Sequence, residues 1–71
     1  MYKKKIYKII GKNIQHERKK QGYSQETFAE LMNVSWSYVA KVEAGYLNLS
    51  IGKLVDFANY LKIDLEKLLK L

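Results

Sequence analysis

Residues that favour helix starts divide this chain of 71 residues into short segments. Four such residues each precede a stretch in which apolar residues recur every three or four positions. They are Ser24, Ser35, Ser50 and Asp64. A side-chain oxygen just before a helix accepts a hydrogen bond from a backbone N–H group that the helix start leaves unpaired. The sequence has no proline and no alternating β pattern. It therefore predicts an all-α fold, a compact bundle of five short helices.

The helix boundaries follow from these starts and from residues that end a helix. The first helix is predicted from about Ile6 to Lys20, and the last from about residue 64 to residue 70. Asn33 closes the second helix, because asparagine, after glycine, best tolerates the left-handed backbone that ends many helices. We expect one domain over residues 1–71, whose small core buries only roughly 60% of the surface of the unfolded chain.

A helix-turn-helix is predicted for about residues 25–44 from the spacing of small and apolar residues. Ala29 allows the second helix to cross the first closely, and Asn33 makes the turn four residues later. Val34 fills the corner, while Val39 and Val42 bury the second helix. Two helices joined by a three-residue turn at a steep angle require this arrangement. Each residue would also suit the core of another helical bundle, so the prediction depends on their joint spacing.

The residue types that catalysis and metal binding require are scarce. The chain has no cysteine, and His16 is its single histidine. One histidine cannot complete a nucleophilic constellation for any of the serines, and it cannot form a zinc site by itself. We therefore expect no enzyme, no metal site and no cofactor.

The chain is basic and has no stretch that could span a membrane, and its lack of cysteine fits the cytoplasmic location that we expect. No run of apolar residues exceeds three, which is too short to span a membrane. The formal net charge is +6, and residues 1–23 hold eight Lys and Arg against one acid. Such a balance favours a polyanionic partner such as nucleic acid, or an anionic membrane surface. The lysines near the start of the chain suit a flexible arm, long-range attraction or a merely solvated face.

Two stretches of the sequence resemble the phage repressor/Cro-like helix-turn-helix family. They are IGKNIQHERKKQGYSQETFAELMNVS and YVAKVEAGYLNLSIGKLVDFANYLKIDLEKLL, within about residues 10–69. The resemblance implies a five-helix bundle that binds operator DNA as a dimer and regulates transcription. The stretch NLSIGKLVDFANYL also resembles controller proteins of restriction–modification systems. The most specific motifs are Ser24-Gln25-Glu26, Val34-Ser35 and Val42-Glu43-x-Gly45.

One face of the second motif helix is predicted to read double-stranded DNA in the major groove. With the two valines turned inward, Ser37 and Lys41 lie outermost, near the end from which such helices read bases. Base contacts are expected from Trp36, Ser37 and Lys41, which also match the family's base-reading positions. An ordinary solvated face, or an indole lying flat on its own protein, is the alternative. Backbone contacts are expected from Gln25, Ser35, Tyr38, Tyr46 and Asn48, of which Gln25 matches a phosphate-binding position in the family.

Two contacts between segments are also expected. The resemblance pairs Arg18 of the first helix with Glu43 of the Val-Glu-x-Gly motif. The C-terminal segment carries more leucines than one short helix can bury in so small a core, which predicts a homodimer. The residues assigned to the dimer interface are Tyr60, Ile63, Leu65, Leu68, Leu69 and Leu71.

The function predicted is a sequence-specific transcriptional regulator, either a repressor or an autoregulating controller. An antitoxin that binds both DNA and a toxin is the alternative within DNA binding. A protein-interaction module that keeps the fold without reading DNA is the alternative from another class. Acids or large aliphatic residues on the recognition face would favour that module, and Ser37, Ala40 and Lys41 do not.

Overall fold

The computed structural model describes residues 3–71 and contains four α-helices and one 3-10 helix. The α-helices are α1 (Lys3–Lys20), α2 (Gln25–Met32), α3 (Trp36–Glu43) and α4 (Ile51–Leu61), and the 3-10 helix is Leu65–Lys67. Within this part of the chain there is no β-strand. The predicted all-α fold with a helix-turn-helix is therefore confirmed, with a 3-10 turn in place of the fifth α-helix.

Three of the four predicted helix starts form the expected cap. The hydroxyl of Ser24 accepts a hydrogen bond from the backbone N–H of Thr27 at 3.0 Å. The hydroxyls of Ser35 and Ser50 each accept the N–H three residues further on, at 3.0 and 3.2 Å. Asp64 differs, because its side chain makes no capping hydrogen bond to the short 3-10 helix that follows.

The first helix begins earlier than the sequence pattern predicted. It starts at Lys3 rather than at about Ile6, so Lys3, Lys4 and Lys5 belong to α1. Lysine loses little free energy in a helix compared with alanine, and nothing in this stretch breaks the helix. These lysines therefore continue the register of α1 in place of the arm that the sequence suggested.

The segment after α4 also differs from its prediction. Instead of an α-helix over about residues 64–70, the chain makes one 3-10 turn in which the N–H of Leu68 donates to the carbonyl of Leu65 at 2.9 Å. The side-chain amide of Asn13 on α1 donates to the carbonyl oxygens of Leu68 and Lys70, at 3.0 and 2.9 Å. This side chain ties the segment to α1 and leaves Leu68 turned into the core.

Two helices end at a residue with left-handed backbone. Asn33 ends α2 with φ 59° and ψ 45°, as predicted, and its N–H donates to carbonyls of that helix. Lys62 ends α4 in nearly the same conformation, with φ 58° and ψ 43°. A lysine gains nothing from its side chain in this conformation, so no sequence signal indicated that end.

The core lies where α1, α2, α3, α4 and the C-terminal segment meet. Gly11 lets α1 approach the end of α3, since a Cβ added there would lie 2.5 Å from the carbonyl oxygen of Val42. The close crossing places the buried face of α3 inside the bundle and leaves its opposite face to solvent. The largest enclosed side chains are Ile14, Phe28, Val39, Phe57, Leu61 and Leu68.

Candidate nucleic-acid interface

The outer face of α3 presents the residues that the sequence assigned to base reading. Val39 and Val42 are buried, whereas Ser37 and Lys41 are exposed on the opposite side. Trp36, the first residue of the helix, is also exposed, with 55% of its surface accessible. The face is small at its centre and polar or cationic at its edges, which suits the close approach of a helix to base edges in the major groove.

The indole of Trp36 is oriented by a residue of α2. Its Nε1–H donates to the side-chain Oε1 of Gln25 at 3.2 Å. One edge of the indole is therefore attached to the protein, while more than half of the residue remains in solvent. The ring therefore lies outside the core, with its N–H bound to the protein and one face in solvent.

Gln25 is in turn held by a carboxylate at the end of α3. Its side-chain N–H donates to Oε1 of Glu43 at 2.9 Å. Since its amide oxygen accepts from Trp36 and its amide nitrogen donates to Glu43, the orientation of the amide is determined. The amide nitrogen keeps a second N–H for another acceptor.

The buried centre of this network is an ion pair between α1 and α3. The Arg18 guanidinium meets the Glu43 carboxylate with two hydrogen bonds, from Nε to Oε2 at 2.7 Å and from Nη2 to Oε1 at 3.0 Å. A third guanidinium N–H donates to the carbonyl of Tyr23 at 2.6 Å. Both charged residues are buried, and paired, bidentate geometry of this kind is the arrangement in which a buried charge is tolerated.

The four side chains form one continuous network, here called the brace: Arg18, Glu43, Gln25 and Trp36. It links α1, both ends of α3 and the first residue of α2. The family resemblance predicted the Arg18–Glu43 pair but not the two hydrogen bonds of Gln25. No periodic pattern reveals them, because Gln25 is 11 residues from Trp36 and 18 residues from Glu43.

The other residues assigned to backbone contacts are placed differently from one another. Tyr46 and Asn48 are exposed in the loop between α3 and α4, and Ser35 is exposed at the start of α3. Tyr38 instead turns towards α4, where its ring stacks on Phe57 with centroids 6.1 Å apart. Burial raises the pKa of the Tyr38 hydroxyl, and the nearby Asp56 carboxylate raises it further.

Exposure separates the residues assigned to a dimer interface into two groups. Leu68 is completely buried in the chain's own core, so its assignment to a surface between two copies is incorrect. The reason is the 3-10 turn, which points this side chain at α1 and α4 rather than outward. Ile63 and Leu65 are half-buried, and the exposed members are Tyr60, Leu69 and Leu71.

Neither a metal-binding cluster nor a membrane-spanning helix is present in residues 3–71. No three histidine, aspartate or glutamate side chains of this part lie close enough together to hold a metal ion. None of its helices is long and apolar enough to cross a membrane.

Comparison with known proteins identifies the family. The model of the helix-turn-helix family HTH_3 matches residues 14–68, a range that contains all of α2, α3 and α4. The chain belongs to the HTH_3 helix-turn-helix family. It is thus a DNA-binding protein of the transcription-regulator class, and the resemblance seen in the sequence is confirmed.

Three solved structures are similar to this HTH_3 chain. The restriction-modification controller protein C.AhdI from Aeromonas hydrophila is 31% identical with a TM-score of 0.86, over 96% of this chain and 99% of that chain. An HTH_3 family transcriptional regulator from Vibrio cholerae is 23% identical with a TM-score of 0.83, over 93% of this chain and 37% of that one. The hypothetical transcription factor NHTF from Neisseria is 23% identical with a TM-score of 0.84, over 97% of this chain and 79% of that one. A search of curated proteins gave no match.

Proposed function

We propose that this protein binds an operator in double-stranded DNA as a homodimer and regulates transcription, as a repressor or an autoregulating controller. The observation that carries the proposal is the outer face of α3, which offers Trp36, Ser37 and Lys41 to solvent. The brace attaches α3 to α1 and α2 at both of its ends, so the helix that carries this face has a defined position in the fold.

The geometry supports base reading by three different kinds of contact. The Ser37 hydroxyl can donate to or accept from a base edge, and the Lys41 ammonium can donate to O6 and N7 of guanine. The exposed face of the Trp36 indole can pack on a thymine methyl group or a sugar. A well-formed contact of the guanine type contributes about 1–3 kcal/mol of discrimination between bases.

Contacts with the DNA backbone are assigned around this face. The second N–H of the Gln25 amide is oriented by its two bonds in the brace, and it can donate to a phosphate beside the first turn of α2. Ser35, Tyr46 and Asn48 are exposed next to α3 and carry O–H or N–H donors. Tyr38 contributes less, because its ring packs on Phe57.

A homodimer would set two copies of α3 about 34 Å apart, one turn of DNA. The exposed apolar residues Tyr60, Leu69 and Leu71 support such an interface, since Leu71 is 77% exposed in the single chain. The 31% identity with a restriction-modification controller over nearly the whole chain supports the controller subtype. Sedimentation that shows only monomer at high micromolar concentration would contradict the dimer.

The function is tested by selecting the preferred site from random duplexes and then measuring affinity for that site and for an unrelated duplex at fixed salt. Ser37→Ala and Lys41→Ala should weaken specific binding selectively, and Trp36→Ala should weaken it most if the indole packs on a base. Lys67→Ala, an exposed lysine outside α3, is the matched control. A wild-type protein that prefers no site, or variants that all bind like wild type, would contradict the proposal.

A further inference from the structure

The loop that follows the recognition helix carries no positive charge of its own. Residues 44–50 contain neither lysine nor arginine. In the proposed complex this loop lies at the edge of the major groove, where one strand of the sugar-phosphate backbone passes. Cationic side chains contribute most of the affinity that does not depend on DNA sequence, so a cation at this edge has to come from another segment.

The structure brings α1 to this position. Gly45 joins α3 to the loop with φ 81°, and a Cβ added there would lie 2.5 Å from Cγ and 2.7 Å from Cα of Lys8. The backbone and the first side-chain carbons of Lys8 therefore lie directly on Gly45. Because Lys8 is exposed, its ammonium group reaches solvent beside the end of the recognition helix.

Two more lysines lie on the same flank of α1. Lys4 and Lys12 are four residues before and after Lys8, and each step of four displaces a residue by only about 40° around a helix. All three are exposed, and Lys4 is held in register because α1 begins at Lys3. The opposite flank is occupied differently, since Asn13 there binds the C-terminal segment.

We propose that the lysine row, defined as Lys4, Lys8 and Lys12, binds the phosphates of the DNA strand that borders the groove entered by α3. It supplies sequence-independent affinity at the end of the recognition helix where the loop has no cation. The inference rests on the proposed function, because it places the duplex against the outer face of α3. It adds a phosphate-binding surface on α1, a helix outside the helix-turn-helix.

The experiment compares two triple variants of equal net charge. Lys4→Gln/Lys8→Gln/Lys12→Gln removes the lysine row. The control Lys20→Gln/Lys67→Gln/Lys70→Gln removes three lysines that line a hollow with Asn13 and Glu17 on the other flank of α1. Glutamine has nearly the helix propensity of lysine, and circular dichroism and sedimentation verify the fold and the oligomeric state. Affinity is measured for the selected operator and for an unrelated duplex over a series of salt concentrations.

We expect the row variant to lose affinity for both duplexes by a similar factor. The slope of log affinity against log salt should become shallower by about 0.9 for each lysine that contacts a phosphate. The control variant should keep a slope close to that of wild type. Equal losses of slope in the two variants would overturn the proposal, because net charge alone would then explain them, and so would a wild-type slope in the row variant.

The same measurements separate this inference from the proposed function. Wild-type protein that binds both duplexes equally well, but needs the lysine row to do so, would contradict operator recognition and support the phosphate-binding row. Operator preference that survives with an unchanged salt slope in the row variant would support the function and overturn the row. Failure to bind either duplex would overturn both.

Discussion

The helix-turn-helix and the C-terminal segment are attached to α1 by different kinds of interaction. Buried charges connect α1 to the helix-turn-helix, where Arg18 and Glu43 meet in a bidentate pair and Gln25 extends the network to the surface. The C-terminal segment is attached by the enclosed side chain of Leu68 and by the amide of Asn13.

The two kinds of interaction differ in how closely they define the orientation of the attached region. Hydrogen bonds to charged groups are directional, so the brace fixes both the angle and the register of α3 relative to α1. Burial of the Leu68 side chain is non-directional, and the two hydrogen bonds from Asn13 reach only backbone carbonyls, so the outer side chains of the segment are not fixed by either. Leu69 and Leu71 thus remain exposed and available to a partner, while the recognition face keeps one arrangement.

The largest expected effect comes from breaking the ion pair of the brace. Arg18→Met or Glu43→Gln leaves the other group buried without its partner, which should lower the free energy of unfolding by about 3–5 kcal/mol. Urea denaturation of both single variants and of the double variant measures the coupling. Lys20→Met is the control, since the exposed Lys20 ammonium lies 4.0 Å from Glu17 and such a pair is worth less than about 1 kcal/mol. Absence of coupling energy between Arg18 and Glu43 would show that the ion pair does not attach the helix-turn-helix to α1, and the contrast with the C-terminal segment would then be wrong.

The second prediction tests how the C-terminal segment is held, by removing the buried side chain of Leu68. Leu68→Ala should lower the free energy of unfolding by about 2–5 kcal/mol, because it leaves a cavity in an enclosed site. Leu69→Ala is the matched control and should cost far less, since Leu69 is 37% exposed. Both are measured at several protein concentrations, because dimerisation couples stability to concentration. Similar small losses in both variants would mean that this segment lies outside the folded core.

A smaller effect is expected from removing the hydrogen bonds of Gln25, which lie nearer the surface than the ion pair. Gln25→Met removes the acceptor of the Trp36 N–H and should cost about 1 kcal/mol. Because Trp36 is the chain's single tryptophan, its fluorescence reports on this site alone. In the variant, acrylamide should quench that fluorescence more strongly, and its anisotropy should fall. Gln21→Met is the control, since it removes a bond of similar length, 2.9 Å to the carbonyl of Leu61, far from the indole. Unchanged Trp36 fluorescence in the Gln25 variant would show that the brace does not orient the reading face.

The smallest effect distinguishes the two left-handed helix ends. Lys62→Gly should raise the free energy of unfolding by about 0.5 kcal/mol, because the left-handed strain of a lysine exceeds the added flexibility of glycine in the unfolded chain. Asn33→Gly should change it less, since asparagine already tolerates that conformation. Thermal midpoints of the two variants, measured at one concentration, test the difference. A loss of stability in Lys62→Gly would contradict it.

The sequence alone predicted the helices whose ends carry a local signal. The helix-start serines, Ser24, Ser35 and Ser50, each accept a hydrogen bond from an N–H only three residues away. Asn33 is of a residue type that tolerates the left-handed backbone. Both features can therefore be predicted from a short stretch of sequence. The inward turn of Val39 and Val42, and with it the exposed side of α3, follows from helical periodicity for the same reason. Features without such a signal were missed or misplaced: the left-handed Lys62, whose residue type gives no indication of it, the short C-terminal turn and the direction of Tyr38.

Only the tertiary structure decided which distant groups meet. The amide of Gln25, the first residue of α2, binds residues at both ends of α3, and Lys8 lies on Gly45 because Gly11 lets α1 approach the end of α3. Leu68 is a core residue rather than a surface one because the 3-10 turn directs its side chain inward, and its carbonyl oxygen accepts a hydrogen bond from Asn13, 55 residues earlier. Local hydrogen bonds and periodicity constrain a residue's own helix, whereas the relative placement of helices depends on all the side chains that pack between them. The sequence therefore determined the helix-turn-helix and its outward residues, and the packing of α1 determined how rigidly those residues are held and which cations lie beside them.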